Sequence, residues 1–307
     1  VRLVFRVHVA ARATSPTTPV AAPPASPPVA SGSDPVVVAA GDVACPSATA
    51  GTTTCGQTYT GDLIRSINPD LVLGLGDYQY DTGTLDNFAA YYEQSWGSFK
   101  DKTRAINGGS HDFYGGGDYY TYFGTSAGPA PYASYSYDIG SWHLIALNDY
   151  CSDSNVGGCG VGSRWYTWLK NDLAAHPNTC TLAYWHQPYW TSGATHAPYS
   201  GVRDYIQLLY DAGVDVLLQA HNHQYERFAP QNPQSQRDDA EGIEAFVVGT
   251  GGHSFYGFNS TPAPNSLVRN ADTFGVLKLT LHPTSADYAF QPIAGETFTD
   301  SGSRSCH

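Results

Sequence analysis

The chain has 307 residues, a net charge of −12 from 15 Lys+Arg against 27 Asp+Glu, and only 14% charged residues. That balance lacks the basic footprint of a nucleic-acid binder and offers no polybasic patch for anionic lipid. No apolar run approaches the roughly 20 residues a bilayer span needs, so no stable membrane anchor is expected. Aromatic residues reach 13% with 22 Tyr, and 32 Gly with 20 Pro predict many loops, a combination that also excludes coiled coil, collagen and bulk disorder.

Residues 1–33 read as a signal-like or Pro/Ser/Ala-rich linker. The catalytic body is expected over 34–307. PVVVAAGD (35–42) is a short β-branched run that predicts a buried strand. Residues 60–67 suit a helix opened by Thr60. DLVLGLGD (70–77) is a second apolar strand ending in Gly-Asp, and 85–99 has helical periodicity. A short strand over 103–108 leads into a Gly-rich loop. Residues 132–140 and 141–149 read as a hairpin, and 163–176 as an amphipathic helix. TLAYWH (181–186) is a strand, 202–213 a helix, and VDVLLQAH (214–221) another strand. Three late strands follow at 244–252, 274–282 and 286–292. Alternating β and α with a β-rich tail means a layered α/β fold with helices outside the sheets.

The six cysteines form no CxxC pair, which argues against a zinc ribbon or a thioredoxin-like site. Cys45 and Cys55 bracket one small loop, and Cys151 and Cys159 another. These are read as local disulfides, with Cys180–Cys306 following by elimination from the 15 possible pairings. Three bridges imply an oxidising compartment, hence secretion. Six reduced buried thiols are the alternative.

Five strands stop at, or just before, residues that bind metals or move protons: Asp42, Asp77, His111, His186 and His221. In open α/β sheets, ligands collect at the carboxyl ends of strands. Singly, a Gly-Asp is a turn and a lone His a satisfied polar group; five together are a site.

In chain order the motifs are GD (41–42), GDYQY (76–80), GSHD (109–112), AYWH (183–186) and AHNHQYER (220–227). This series resembles the metallophosphoesterase (calcineurin-like phosphoesterase) superfamily, in its purple-acid-phosphatase-like branch, over roughly residues 35–300. The resemblance implies a four-layer αββα sandwich of two mixed β-sheets flanked by helices. It implies a dinuclear-metal phosphoesterase acting on a small-molecule phosphate ester. Two cations about 3.5–4 Å apart neutralise such an ester, make hydroxide at neutral pH and hold the attack in line. Fe and Zn are favoured, with Mn possible. Matched motif by motif, Asp42, Tyr80 and His223 would hold the first metal and Asp77 would bridge. His186 and His221 would hold the second. His111 would protonate the leaving alkoxide and Asp112 would orient it. Tyr225 and Arg227 follow, the Arg expected to lock the site loops.

Three positions depart from the pattern. Ala44 stands where the branch has Gly, and Ala220 replaces the Gly of GHxH. Ser110 stands where an Asn carboxamide would reach the second metal; it weakens that site, or a neighbour such as Asn107 substitutes. A fold retained as a metal-binding module with a weakened site is therefore the rival of another class. His196 and His253 are expected to line the substrate pocket. His143, His176 and His282 read as structural or exposed, and residues 119–123 with Trp190 as packing. The scarcity of Lys in the motif loops, and aromatic loops suited to a cationic alcohol, favour a small phosphodiester over a phosphomonoester.

Overall fold

The computed structural model describes residues 33–307 apart from 48, 50, 52, 107–108, 114–117, 130–131, 133 and 178–179. The expected linker thus lies outside the described residues except for Ser33, and Asn107 lies outside them too.

Thirteen strands are described: β1 (Val36–Ala40), β2 (Leu71–Gly74), β3 (Thr103–Ala105), β4 (Tyr135–Ile139), β5 (Trp142–Ala146), β6 (Cys180–Tyr184), β7 (Val216–Gln219), β8 (Tyr225–Phe228), β9 (Glu244–Val248), β10 (Ser266–Asn270), β11 (Gly275–His282), β12 (Ser285–Pro292) and β13 (Ser301–Ser305). They form two mixed sheets. The first has the order β13-β12-β11-β1-β2-β3 and the second β10-β8-β9-β7-β6-β5-β4. The strands that carry the motifs run parallel: β1 with β2, β2 with β3, β5 with β6 and β6 with β7. Parallel strands need crossovers, and several of those crossovers are helical: Gln57–Ile67, Arg164–Ala175 and Arg203–Asp211.

β2, β5, β6 and β7 are buried at every position. This explains the unbroken apolar runs, because a strand covered on both faces has no solvent side on which to alternate. Fully burying one Leu or Val stabilises by about 1.5–3 kcal/mol. Polar tips close the seam between the sheets. Trp142 Nε1–H donates to the His282 carbonyl at 2.8 Å, and Tyr135 O–H to the Ala105 carbonyl at 2.9 Å. Phe246 and Tyr288 meet with ring centroids 5.0 Å apart. The result is the expected αββα sandwich.

Several expectations needed correction. The helix read over 85–99 is broken into a short turn, a π-helical segment (Phe88–Tyr92), another turn and a 3-10 stretch (Gly97–Lys102). Four of its five aromatic residues pack inward: Phe88, Tyr92, Trp96 and Phe99 are buried, and Tyr91 is half-buried. The first helix starts at Gln57 rather than Thr60; the Thr60 hydroxyl instead donates to the Gly251 carbonyl at 2.6 Å. β8, β10 and β13 carry no apolar run and were not legible as strands. β10 and β13 are edges, β10 half-buried to exposed throughout and β13 exposed at four of its five positions, where pairing rather than burial defines the strand.

Candidate metal centre

Asp42, Asp77 and His221 each follow the end of a strand by two residues or three, and all three have positive φ (58°, 49° and 67°). Non-glycine residues seldom adopt this conformation, and it concentrates at functional sites. It turns each side chain back over the sheet edge instead of along the strand. Gly109 completes the approach: a Cβ there would overlap the Asp77 backbone nitrogen and carboxylate. With no side chain at 109, the His111 backbone N–H reaches Asp77 Oδ1 at 2.9 Å.

Donor atoms converge in two groups. Tyr80 O–H donates to Asp42 Oδ1 at 2.8 Å and to Asp77 Oδ2 at 3.1 Å, with His223 Nε2 at 3.0 Å. His186 Nε2 lies 3.2 Å from Asp77 Oδ2 and 3.1 Å from His221 Nδ1. Asp77 therefore belongs to both groups. The remaining carboxylate oxygen of Asp42, Oδ2, accepts the His221 backbone N–H at 2.8 Å.

The outer hydrogen bonds fit a metal centre. His186 Nδ1–H donates to the Leu75 carbonyl at 2.7 Å, and His223 Nδ1–H to the Ser254 carbonyl at 2.6 Å. A carbonyl accepts only, so each ring's proton sits on its outer nitrogen. Both Nε2 atoms then face carboxylate oxygens inside, an arrangement that a proton or a bound cation at Nε2 stabilises. Backbone carbonyls behind ligating imidazoles are the usual way of fixing that tautomer. Asp77, His186 and His221 each offer a ligand atom within 4.8 Å of the others.

Electrostatics agree. Burial pushes the carboxyls of Asp42 and Asp77 up, but the surrounding imidazoles outweigh it and hold both below the usual range. Burial pulls His186 down, yet Asp77 outweighs it and lifts the ring to about 10. That proton and a cation compete for the same nitrogen. Burial, then Asp42 and Asp77, raise the Tyr80 phenol well above its ordinary value.

The remaining expected residues take distinct places. His111 stands at the rim, its Nδ1 2.5 Å from the Asp81 carbonyl and its ring 4.2 Å from that of Tyr80. Asp112 does not touch that ring among the described residues. Both its oxygens accept the Tyr78 backbone N–H at 3.1 Å, so it braces the 77–80 loop instead of orienting His111. Burial and then the Asp77 charge raise its carboxyl well above the usual range. Ser110 opens the short helix Ser110–Phe113, and among the described residues its hydroxyl makes no hydrogen bond to the other site residues. His196 stacks on His221 at 3.8 Å and His253 on Tyr80 at 3.9 Å. Arg227 binds both oxygens of Asp300, at 2.7 and 3.0 Å, away from the cluster.

Two residues escaped the sequence reading. Asn222, between the histidines of AHNH, clamps the 191–196 loop: it accepts from the His196 N–H at 3.2 Å and donates to the His196 carbonyl at 3.0 Å. Tyr256 stacks on His223 at 3.9 Å. Its only sequence signal was its place three residues after His253.

The three disulfides are Cys45–Cys55, Cys151–Cys159 and Cys180–Cys306, as expected. The first braces the centre: Cys55 pairs in a β-bridge with His253, whose N–H donates to the Asp42 carbonyl at 2.9 Å.

The sequence model of the calcineurin-like phosphoesterases matches residues 36–225, and the chain belongs to that family. Within it the likeness is to purple acid phosphatases. Purple acid phosphatase 15 of Arabidopsis thaliana is 24% identical over 239 residues, covering 64% of this chain and 43% of that protein. Purple acid phosphatase 23 of the same plant is 33% identical over 98 residues, 30% of this chain and 20% of that one. The matched region thus spans less than half the length of these relatives. Among solved structures, purple acid phosphatase PPD1 from yellow lupin seeds superposes with a TM-score of 0.65 at 20% identity, covering 88% of this chain and 53% of its own. GAP50, the anchor in the inner membrane complex of Plasmodium, gives 0.66 at 17% identity, covering 90% of both chains. No helix among the described residues is long and apolar enough to cross a membrane.

Proposed function

We propose that this chain hydrolyses small phosphate esters with two metal ions. Asp42, Tyr80 and His223 hold one, His186 and His221 the other, and Asp77 bridges them. The observation that carries this reading is the pair of imidazoles whose outer nitrogens are held by carbonyls and whose Nε2 atoms face the Asp42 and Asp77 carboxylates. When bound, the ions supply charge to neutralise the phosphate and to acidify a water. The buried phenol of Tyr80 supports a strongly acidic ion such as ferric iron in the first position, with zinc or manganese in the second.

The protein's own residues do the rest. The Leu75 and Ser254 carbonyls hold the ligand rings in one tautomer. The His221 backbone N–H occupies Asp42 Oδ2 and leaves Oδ1 facing inward. His111, with Nδ1–H on the Asp81 carbonyl, gives its Nε2 proton to the leaving alkoxide and ends neutral. His196, His253 and Tyr256 wall the approach with rings. Ser110 leaves the second position one carboxamide short, which makes that ion the weaker bound.

The preferred substrate is a small phosphodiester of the glycerophospho-alcohol or phospholipid-headgroup kind. After burial, His and Asp side chains are what act most on Asp42 and Asp77, with no Lys or Arg among them; a monoanionic diester needs less fixed positive charge than a dianionic monoester. A phosphomonoester is the second reading, supported by the relatives' designation as phosphatases. Three disulfides support secretion. A panel of p-nitrophenyl phosphate, bis-p-nitrophenyl phosphate and glycerophosphodiesters after metal reconstitution tests the choice. Higher kcat/KM on the diesters is expected; the reverse order assigns a monoesterase, and inactivity on all of them with both metals bound points to the metal-binding module.

A further inference from the structure

The segment AHNHQYER has two faces. His221 and His223 turn to the metal centre, whereas Asn222, Gln224 and Glu226, all fully buried, turn to the loop that follows β6. The alternation of side chains along β8 thus extends back to Asn222. Asn222 Nδ2–H donates to Thr191 Oγ1 at 3.1 Å, and Gln224 Nε2–H to the same oxygen at 3.4 Å. The Glu226 carboxylate accepts the Ser192 N–H at 2.7 Å and the hydroxyls of Ser192 and Ser266 at 2.5 and 2.6 Å.

The tip of the loop is held by Asn222 alone of these three. Its carboxamide meets the backbone of residue 196 as a neighbouring strand would: Oδ1 accepts the N–H at 3.2 Å and Nδ2–H donates to the carbonyl at 3.0 Å. The loop is fitted to this group, since a Cβ on Gly193 would come within 2.4 Å of it. With its backbone fixed at both polar atoms, His196 lays its ring on that of His221, the centroids 3.8 Å apart and the planes at 26°. Among the described residues neither ring nitrogen of His196 makes a hydrogen bond, so both are free to meet a ligand.

Resting on the phosphoesterase reading above, we propose that Asn222 is a positioning residue for the phosphate site, acting through His196: it fixes that imidazole over His221, beside the place a phosphate-ester oxygen has to reach. Gly193 and Ala194 offer the loop little side-chain packing of its own. The support comes instead from the stretch of chain whose other face carries His221 and His223. The ring is therefore placed relative to the metal ligands, and groups held in this way react and bind without a further ordering cost.

The test is a double-mutant cycle on the binding of inorganic phosphate, measured by titration calorimetry in the metal-loaded full chain, with metal content and kcat/KM on p-nitrophenyl phosphate read alongside. Asn222→Ala should weaken phosphate binding roughly tenfold, because a misplacement of about 1 Å at a reacting site can cost about 10²-fold. His196→Ala should weaken it by as much or more. The double variant should be no weaker than His196→Ala, since Asn222 acts only through that ring. Metal content should match the wild type throughout. Unchanged affinity in Asn222→Ala, losses that add in the double variant, or metal lost from Asn222→Ala each overturn the proposal. Should Asn222→Ala fail to fold, Asn222→Asp takes its place: it keeps the shape and the acceptor for the His196 N–H, loses both donors, and should show the same non-additivity with His196→Ala. A wild type that hydrolyses esters while the losses add sinks this inference alone. A metal-loaded wild type that neither binds phosphate nor hydrolyses any ester sinks the phosphoesterase reading, and this inference with it.

Discussion

His111→Gln separates proton donation from metal holding. The ring hangs from the Asp81 carbonyl through Nδ1, whereas the contact of this residue with the metal cluster is its backbone N–H on Asp77 Oδ1. A side-chain substitution leaves that backbone bond in place, so metal content should stay at the wild-type value. What disappears is the proton for the leaving alkoxide. Positioned general acids contribute about 10²–10⁴ in rate, which is about 3–5.5 kcal/mol at 1.36 kcal/mol per decade. The whole of that loss should fall on alkyl esters such as glycerol phosphates or glycerophosphodiesters. A p-nitrophenolate leaves without help, so its ester should slow by less than about tenfold. Steady-state kcat on paired alkyl and nitrophenyl esters, with elemental analysis of the same preparations, makes the comparison. Equal losses on both esters, or loss of metal, would refute the assignment of His111 as the acid.

Ser110→Asn should raise affinity for the second metal and activity at limiting metal, read by metal titration; no change in either would mean that residue 110 does not face the ions. Arg227→Met leaves Asp300 and Glu244 buried without their partner, at 2.7 and 3.4 Å in the native chain, and should cost about 3–5 kcal/mol in urea unfolding while sparing metal content. Replacing Cys180 and Cys306 by Ser opens a loop closed across 126 residues, which chain entropy values at about 4–5 kcal/mol; an unchanged denaturation midpoint would contradict a structural role for the bridge.

Residues whose chemistry is announced at a strand end were legible from sequence. Asp42, Asp77, His186 and His221 follow apolar runs, and burial on both faces of a parallel sheet makes such runs unmistakable. The β8, β10 and β13 segments were not legible, because edge and short pairing strands need no apolar pattern. The 85–99 segment kept a helical period while its backbone changed helix type, a difference invisible to periodicity. At the site, the family resemblance implied that Asp112 serves its neighbour His111. Tertiary contact gave it to the Tyr78 N–H, because the short helix Ser110–Phe113 directs successive side chains to different sides. Tyr256 and the carbonyls of Leu75 and Ser254 carry no motif at all. They matter only through where the chain folds them.

Six side chains from four strand-end loops, Asp42, Asp77, Tyr80, His186, His221 and His223, are proposed to hold two metal ions. The most direct measurement is the metal content per chain of purified wild type and Asp77→Asn, each followed through chelation and metal return with phosphate-ester hydrolysis as the second readout. The wild type should lose activity as metal is withdrawn and recover it on return. Asp77→Asn, lacking the carboxylate common to both positions, should be depleted in metal and should not recover. A wild type that hydrolyses phosphate esters fully after its metal is gone, or an Asp77→Asn chain with undiminished metal and rate, would contradict that assignment.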